Sequence, residues 1–450
     1  MKQFILSIVV LLFLTISCKN STETYKSTSL EKYTDSLFNS SIDSAKIAGA
    51  AVIAFQKGKM LVNSSYGFAS LELSVPIPNE GQFEIGSVTK QFTAAAILKL
   101  VADKKLSLED DFTKYVKFDT KGRKVTINNL LNHTSGIVSY TSFPEFGKFS
   151  IQQNPRDTLV RLIEKKGFNF EPGEALIYNN SGYFLLGLII EKASGKSYEE
   201  YLKETIFEPL GMENTTYCSN TAVVKNKVYG YSYTSKGLQQ KAYLNHTWPY
   251  AAGSLCSTTK DLLIWLRALH QGNILTKDQY QSLISPDSLN DGTPIKYAKG
   301  ITNFSNFGNH QISHGGGING FLTETRYFPE EDLFIICLVN TTGPHGAGYF
   351  AEKITWKLLD KKEATPVALD VDLTSLEGRY TGQARGRMLT FDVNSFTNGI
   401  TFQRKGSKSI DTLKTYIGNN TWADGNTRFM IKNNEFRIDQ ATVHYILKKE

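Results

Sequence analysis

The chain predicts an α+β fold: an antiparallel sheet drawn from both ends of one large unit, a helical region inserted between them, and a small β-rich unit appended. Three observations lead there. Hairpin patterns stand far apart in the chain, at 48–55 with 60–68 around Lys57-Gly58-Lys59, and at 321–328 with 333–340 around Pro329-Glu330-Glu331-Asp332. Between them the apolar period is helical, notably over 88–103, 156–165, 181–192, 198–206 and 259–270, and a further helix is expected at 347–359. Past Lys362 the character changes to short β-prone runs broken by turn signals such as Thr397-Asn398-Gly399 and Asp424-Gly425-Asn426.

From the N-terminus, Met1-Lys2-Gln3 precedes an apolar run over 4–16 and then Ser17-Cys18. That run is short for a membrane span and has the form of a secretory signal peptide over 1–17. A small residue directly before a cysteine resembles the lipobox of bacterial lipoproteins, although Thr15 departs from the usual leucine. The resemblance implies that Cys18 is lipidated and anchors the exported protein to a membrane of the cell envelope, without saying which side it faces. The stretch 18–29 is rich in Ser, Thr and Lys and suits a tether. The large unit is expected over 30–362, a linker over 363–375 and the β-rich unit over 376–450, where docking or gating of substrate is the expected role. A chain of 450 residues exceeds what one core usually supports, in keeping with that division.

The net charge of +7 comes from scattered lysines with no basic block, which argues against nucleic acid as a partner. Three cysteines follow Cys18. Cys337 sits in the apolar run 333–339 and reads as a packed thiol, so no disulfide framework is expected, and the pairing of Cys218 with Cys256 is left open.

The chemistry centres on Glu84-Ile85-Gly86-Ser87-Val88-Thr89-Lys90. Ser87 opens a helix and Lys90 lies one turn on, sharing a face. A serine hydroxyl needs a neighbouring base, and a lysine serves when burial or other charges depress its pKa. Free N–H groups at the helix start can also stabilise an oxyanion. Ser-x-x-Lys recurs at Ser29/Lys32, beside the tether, and at Ser257/Lys260, which reads as a helix cap ahead of Asp261.

Several segments in order extend the pattern: Leu130-Leu131-Asn132-His133-Thr134-Ser135-Gly136, Tyr178-Asn179-Asn180, Glu208-Pro209-Leu210-Gly211-Met212, Ala252-Gly253-Ser254 and His314-Gly315-Gly316-Gly317. Together they resemble the serine β-lactamase and penicillin-binding-protein family, particularly class C β-lactamases and their esterase and D-aminopeptidase relatives, over about 30–360. The resemblance implies the β-lactamase/transpeptidase-like fold and an acyl-enzyme serine hydrolase. Ser87 would be the nucleophile, Lys90 its proton acceptor and Tyr178 the base that activates water. Asn180, His314 and Gly316 would contact substrate, and the backbone N–H groups of Ser87 and Gly317 would form the oxyanion hole. The tyrosine's part requires phenolate favoured by nearby cations, or a proton shared with Lys90.

One departure matters. Lys-Thr-Gly of the β-lactamases proper is replaced by His314-Gly315-Gly316, and histidine is largely neutral at pH 7. The substrate is therefore expected to be an ester, amide or D-amino-acid peptide. A D-alanyl-D-alanine carboxypeptidase or class C-type β-lactamase is the alternative, followed by a non-catalytic envelope binding protein. No cofactor or metal is expected: His310 and His314 lie in a Gly-rich segment unsuited to helical ligation, and His133 reads as a structural histidine.

Overall fold

The computed structural model describes residues 28–385 and 387–450, so the expected signal peptide, Cys18 and most of the tether lie outside the described residues. Seven strands form the main sheet: β1 (Gly49–Gln56), β2 (Lys59–Ser70), β3 (Val75–Pro76), β4 (Thr302–Asn306), β5 (Asn309–Ile318), β6 (Phe321–Phe328) and β7 (Leu333–Val339). Their order is β4-β5-β6-β7-β1-β2-β3. The two distant hairpins meet where β1 pairs antiparallel with β7, from Ala50↔Val339 to Gln56↔Leu333. Both strands are covered on both faces, so they read as continuous apolar runs rather than alternating ones. Cys337 is buried in β7 as a free thiol.

The helices that matter most are α1 (Ser29–Asp43), α2 (Thr89–Ala102), α3 (Asn180–Ser194), α4 (Thr259–His270) and α5 (Ala347–Leu358). α1 and α5 share one sheet face, where the Phe38 and Phe350 rings stack at 4.2 Å. The inserted helices fill the other face around α2. Eleven of the fourteen residues of α2 are buried, so it runs through the core rather than along a surface, and its N-terminus opens where sheet and helical region meet.

Local capping refines two expectations. Thr258 rather than Ser257 caps α4, accepting the Asp261 N–H at 3.1 Å, while the Ser257 hydroxyl bonds Thr215 at 2.8 Å. The helix expected at 198–206 is α-helical only over Tyr198–Leu202 and widens into a π turn at Lys203–Phe207. Pro209 follows it, and without an N–H it offers no α-type bond back to Thr205.

The C-terminal strands, from Gly378–Ala384 to Val443–Lys449, form a barrel-like meander in which the first strand meets the last at Tyr380↔Lys449. Trp422, Phe436 and Tyr380 pack its interior. Its last strand also pairs with the large unit, Val443 opposite Ile177 and His444 opposite Leu176. Ion pairs flank that seam, Lys296 with Asp439 and Asp291 with Arg437, each at 2.7 Å.

The cysteine pairing that the sequence leaves open is made. Cys218 and Cys256 form a disulfide. The short strands Phe83–Glu84, Leu255–Ser257 and Thr216–Tyr217 make a small sheet just ahead of Ser87, and Cys256 lies on its middle strand with Cys218 following its edge. Closing a 38-residue separation restricts the unfolded chain. Replacing both cysteines by alanine is expected to lower the unfolding free energy by about 2–4 kcal/mol, measured by urea denaturation.

Candidate active site

Ser87 stands in a one-turn 3₁₀ segment, Gly86–Val88, that runs directly into α2. Gly86 holds φ +52°, and a Cβ there would lie 2.9 Å from the Gly317 nitrogen, so only glycine lets the nucleophile turn meet β5 this closely. From the other side, a Cβ on Gly316 would stand 2.1 Å from the Ile85 carbonyl oxygen. The glycine run thus continues strand β5 beyond its pairing with β4, and its small residues bring the backbones of Ser87 and Gly317 to the same rim.

Lys90 is wholly buried. Its Nζ lies 3.2 Å from Ser87 Oγ, 2.8 Å from Asn180 Oδ1 and 2.7 Å from the Ala252 carbonyl oxygen. Among the described residues no carboxylate pairs with it, and burial, reinforced by the Arg385 guanidinium, holds its pKa well below the ordinary lysine value. The two carbonyl oxygens can only accept. A neutral amine donates both its hydrogens to them and is left with one lone pair, facing the Ser87 hydroxyl. The neighbours of Lys90 fix its helix: Thr89 Oγ1 accepts the Leu255 N–H at 3.1 Å, and Thr93 donates to the Ala251 carbonyl at 2.7 Å. Gln91 accepts from Trp265 at 2.8 Å and donates to Thr325, whose hydroxyl in turn donates to the His314 carbonyl at 2.9 Å. α2 and β5 are therefore tied together beneath the site.

Tyr178 follows the short strand Leu176–Ile177, and Asn179 then caps α3 by accepting the Gly182 N–H at 3.0 Å. The cap turns the chain so that Tyr178 and Asn180 reach the cleft on either side of it. The Tyr178 hydroxyl is buried with no hydrogen-bond partner in good geometry among the described residues, although Ser87 is close enough to act on it. Lys90 Nζ lies 4.8 Å from its ring centre. Burial raises the phenol's pKa above the ordinary value, with Ser87 and the Arg385 guanidinium pulling the other way. Burial wins, which favours the protonated phenol.

His314 is buried beside Tyr178. Its Nδ1 faces the Gly315 carbonyl, which makes that nitrogen the donor and leaves Nε2 to accept the Tyr297 hydroxyl at 2.9 Å. Burial, with a smaller part from Lys90 when protonated, lowers its pKa to about 3, so it is neutral throughout the physiological range. His133 packs under Tyr178 with ring centres 4.3 Å apart, and its Nδ1 accepts the Asn179 N–H at 3.2 Å, a structural duty. His310 points elsewhere, to Asn303 at 2.7 Å. No metal-holding cluster of His, Cys, Asp or Glu occurs among the described residues.

Ser87, Lys90, Tyr178, Asn180, His314, Gly316 and Gly317 thus converge, all but Lys90 lining one cleft of about 730 Å³. Sequence reasoning missed three contributors. Ala252 offers a backbone oxygen, which no side-chain pattern announces. Thr141 accepts from Asn180 Nδ2 at 3.4 Å, and Arg385 enters from the C-terminal unit, donating to Thr141 at 3.0 Å. Gly316→Ala is expected to lower stability by about 1–3 kcal/mol in chemical denaturation, because the Ile85 carbonyl must move. Gly317→Ala, whose Cβ would meet nothing nearer than Leu322 at 3.5 Å, should stay within about 0.5 kcal/mol of the parent.

The β-lactamase family model matches residues 34–357. Penicillin-binding protein 4* of Bacillus subtilis is 32% identical over 308 residues, 64% of this chain and 67% of that protein. Among solved structures, the octameric penicillin-binding protein homologue from Pyrococcus abyssi superposes with TM-score 0.65 at 26% identity, covering 92% of this chain and 99% of the other. A D-stereospecific amidohydrolase from Streptomyces sp. gives TM-score 0.62 at 25% identity over 72% of this chain and 97% of the other.

Proposed function

The chain belongs to the β-lactamase family, and on that premise we propose that it is a serine hydrolase that forms an acyl-enzyme on Ser87 with an ester, an amide or a peptide containing a D-amino acid. The observation that carries this reading is the buried Lys90 amine, 3.2 Å from Ser87 Oγ, with its other two contacts both to carbonyl oxygens. A site that only bound ligand would gain nothing from an amine buried without a counter-charge, whereas a general base needs that depressed pKa. The D-stereospecific Streptomyces relative supports the substrate class.

In acylation, Lys90 takes the Ser87 proton as Oγ attacks the carbonyl carbon, and the oxyanion forms against the Ser87 and Gly317 N–H groups. The Tyr178 phenol then gives its proton to the departing oxygen or nitrogen and is restored from the Lys90 ammonium. In deacylation the order reverses. Tyr178 takes a proton from water as it passes its own to Lys90, hydroxide attacks the ester carbon, and the Ser87 alkoxide leaves with that proton. Asn180 holds both the Lys90 amine and, through Thr141, the side of the cleft where substrate lies.

His314 carries no charge above about pH 3. A β-lactam or a D-alanyl-D-alanine terminus therefore gains no cation from the strand position where the β-lactamases proper carry lysine.

Intact-mass spectrometry after brief exposure to a fluorophosphonate, a penicillin and a p-nitrophenyl ester is expected to give a covalent adduct or turnover that Ser87→Ala abolishes. Lys90→Ala should lower turnover by at least about 10²–10⁴-fold. No reaction with any of the three reagents would overturn the hydrolase reading. Because only unprotonated Lys90 accepts the serine proton, kcat/KM should rise with pH through the depressed Lys90 pKa. His314, already neutral above about pH 3, should contribute no inflection between pH 5 and 8.

We further propose that the protein is exported and held at a membrane through lipidated Cys18, on the strength of the leader and the Ser17-Cys18 junction. Incorporation of labelled palmitate, expected in the parent and lost in Cys18→Ser, tests this.

A further inference from the structure

We infer that Arg385, delivered into the cleft by the C-terminal β-unit, is the carboxylate-binding residue of the site, and that the preferred substrate carries a free carboxylate near its scissile bond. The inference rests on the acyl-enzyme reading for its chemistry, but not for the contact itself.

Two cations line the cleft, Arg326 and Arg385. Arg326 is already paired with Glu324 at 3.0 Å. Arg385 has no carboxylate partner among the described residues. One of its Nη2 hydrogens goes to Thr141 Oγ1 at 3.0 Å, and its guanidinium carbon lies 5.2 Å from the centre of the Tyr178 ring. The ring face and the threonine fix the guanidinium plane, while the remaining donors of a five-donor fork are left to the cleft. That fork matches a carboxylate in two parallel hydrogen bonds.

The position is joined to the chemistry by short links. Arg385 donates to Thr141, which accepts from Asn180; Asn180 in turn accepts from Lys90 at 2.8 Å, and Lys90 reaches Ser87 at 3.2 Å. A carboxylate held by Arg385 would therefore lie on the Asn180 side of the cleft. Arg385 directly follows the strand Gly378–Ala384, which pairs with the same last strand that grips Leu176–Ile177 ahead of Tyr178. One sheet thus sets both the arginine and the tyrosine. With His314 neutral and turned to Tyr297, the appended unit supplies the positive charge that the strand carrying His314 lacks.

Two matched substrate pairs test this in the full chain. The p-nitrophenyl monoester of glutaric acid and its terminal carboxamide place the charge on the acyl side. N-benzoylglycyl-D-lactate and its carboxamide place it on the leaving group. The parent should favour the carboxylate in at least one pair, and Arg385→Gln should cut the kcat/KM ratio of carboxylate to carboxamide about 10- to 100-fold, the range for a hydrogen bond to a charged group. Arg385→Lys should restore part of the ratio. An arginine acting only through its field on Lys90 would shift the pH profile and both members equally, leaving the ratio unchanged, and that result overturns the inference. Calorimetric binding of N-benzoyl-D-alanine and its amide to Ser87→Ala, with and without Arg385→Gln, reads the same contact without turnover. Loss of carboxylate preference there, combined with no Ser87-dependent hydrolysis, would sink the hydrolase reading alone. An unchanged preference sinks the arginine.

Discussion

An amine buried without a carboxylate partner is an expensive thing for a protein to hold, and the arrangement around Lys90 is what makes it tenable. Desolvation depresses its pKa, and two carbonyl oxygens satisfy the neutral form: one from the Asn180 side chain and one from the Ala252 backbone. Neither can move without stranding the nitrogen. Ala252 is held by the hydrogen bonds that Thr89 and Thr93 make to its flanking segment, and Asn180 by the cap at Asn179 that starts α3. The Ser87 hydroxyl is the third contact, and it is the one that faces the cleft.

This dependence explains why the sheet is assembled from both ends of the chain. The nucleophile turn needs a rigid backbone to lean on, and β5 provides it only because β1 and β7 lock the distant hairpins together. Gly86 and Gly316 are the contact between those halves, each excluding a Cβ for the sake of a backbone neighbour. On the opposite rim, the strand before Tyr178 is two residues long and would be a poor anchor by itself. Pairing with Val443 and His444 extends the barrel's sheet to it.

What the sequence makes legible follows from range. Ser87 and Lys90 lie one helical turn apart, Tyr178 and Asn180 bracket a cap, and the hairpins alternate or run apolar over enough residues to show their period. The Cys218–Cys256 bridge depends on strands of two and three residues, too short for any periodicity to show. The ionisation of Tyr178 turns on burial, which depends on the packing around its hydroxyl and leaves no local sequence pattern. Arg385 is the extreme case. It sits in a turn of a unit with no catalytic pattern of its own, and its meaning appears only when that turn is found beside Thr141.

The same geometry bears on what the C-terminal unit is to the large one. A unit that merely stabilised its neighbour would meet it through apolar packing and surface ion pairs, and some of the seam is of that kind, with Leu176 and Tyr297 in one small cluster that Ile446 joins. But the seam runs through the strand just before Tyr178, and the hairpin beyond it puts an arginine over that residue's ring. The same guanidinium lowers the pKa of both the Lys90 amine and the Tyr178 phenol, favouring the unprotonated form of each. The appended unit thus reaches the proton balance of the site as well as its shape, and the cleft is a product of both units.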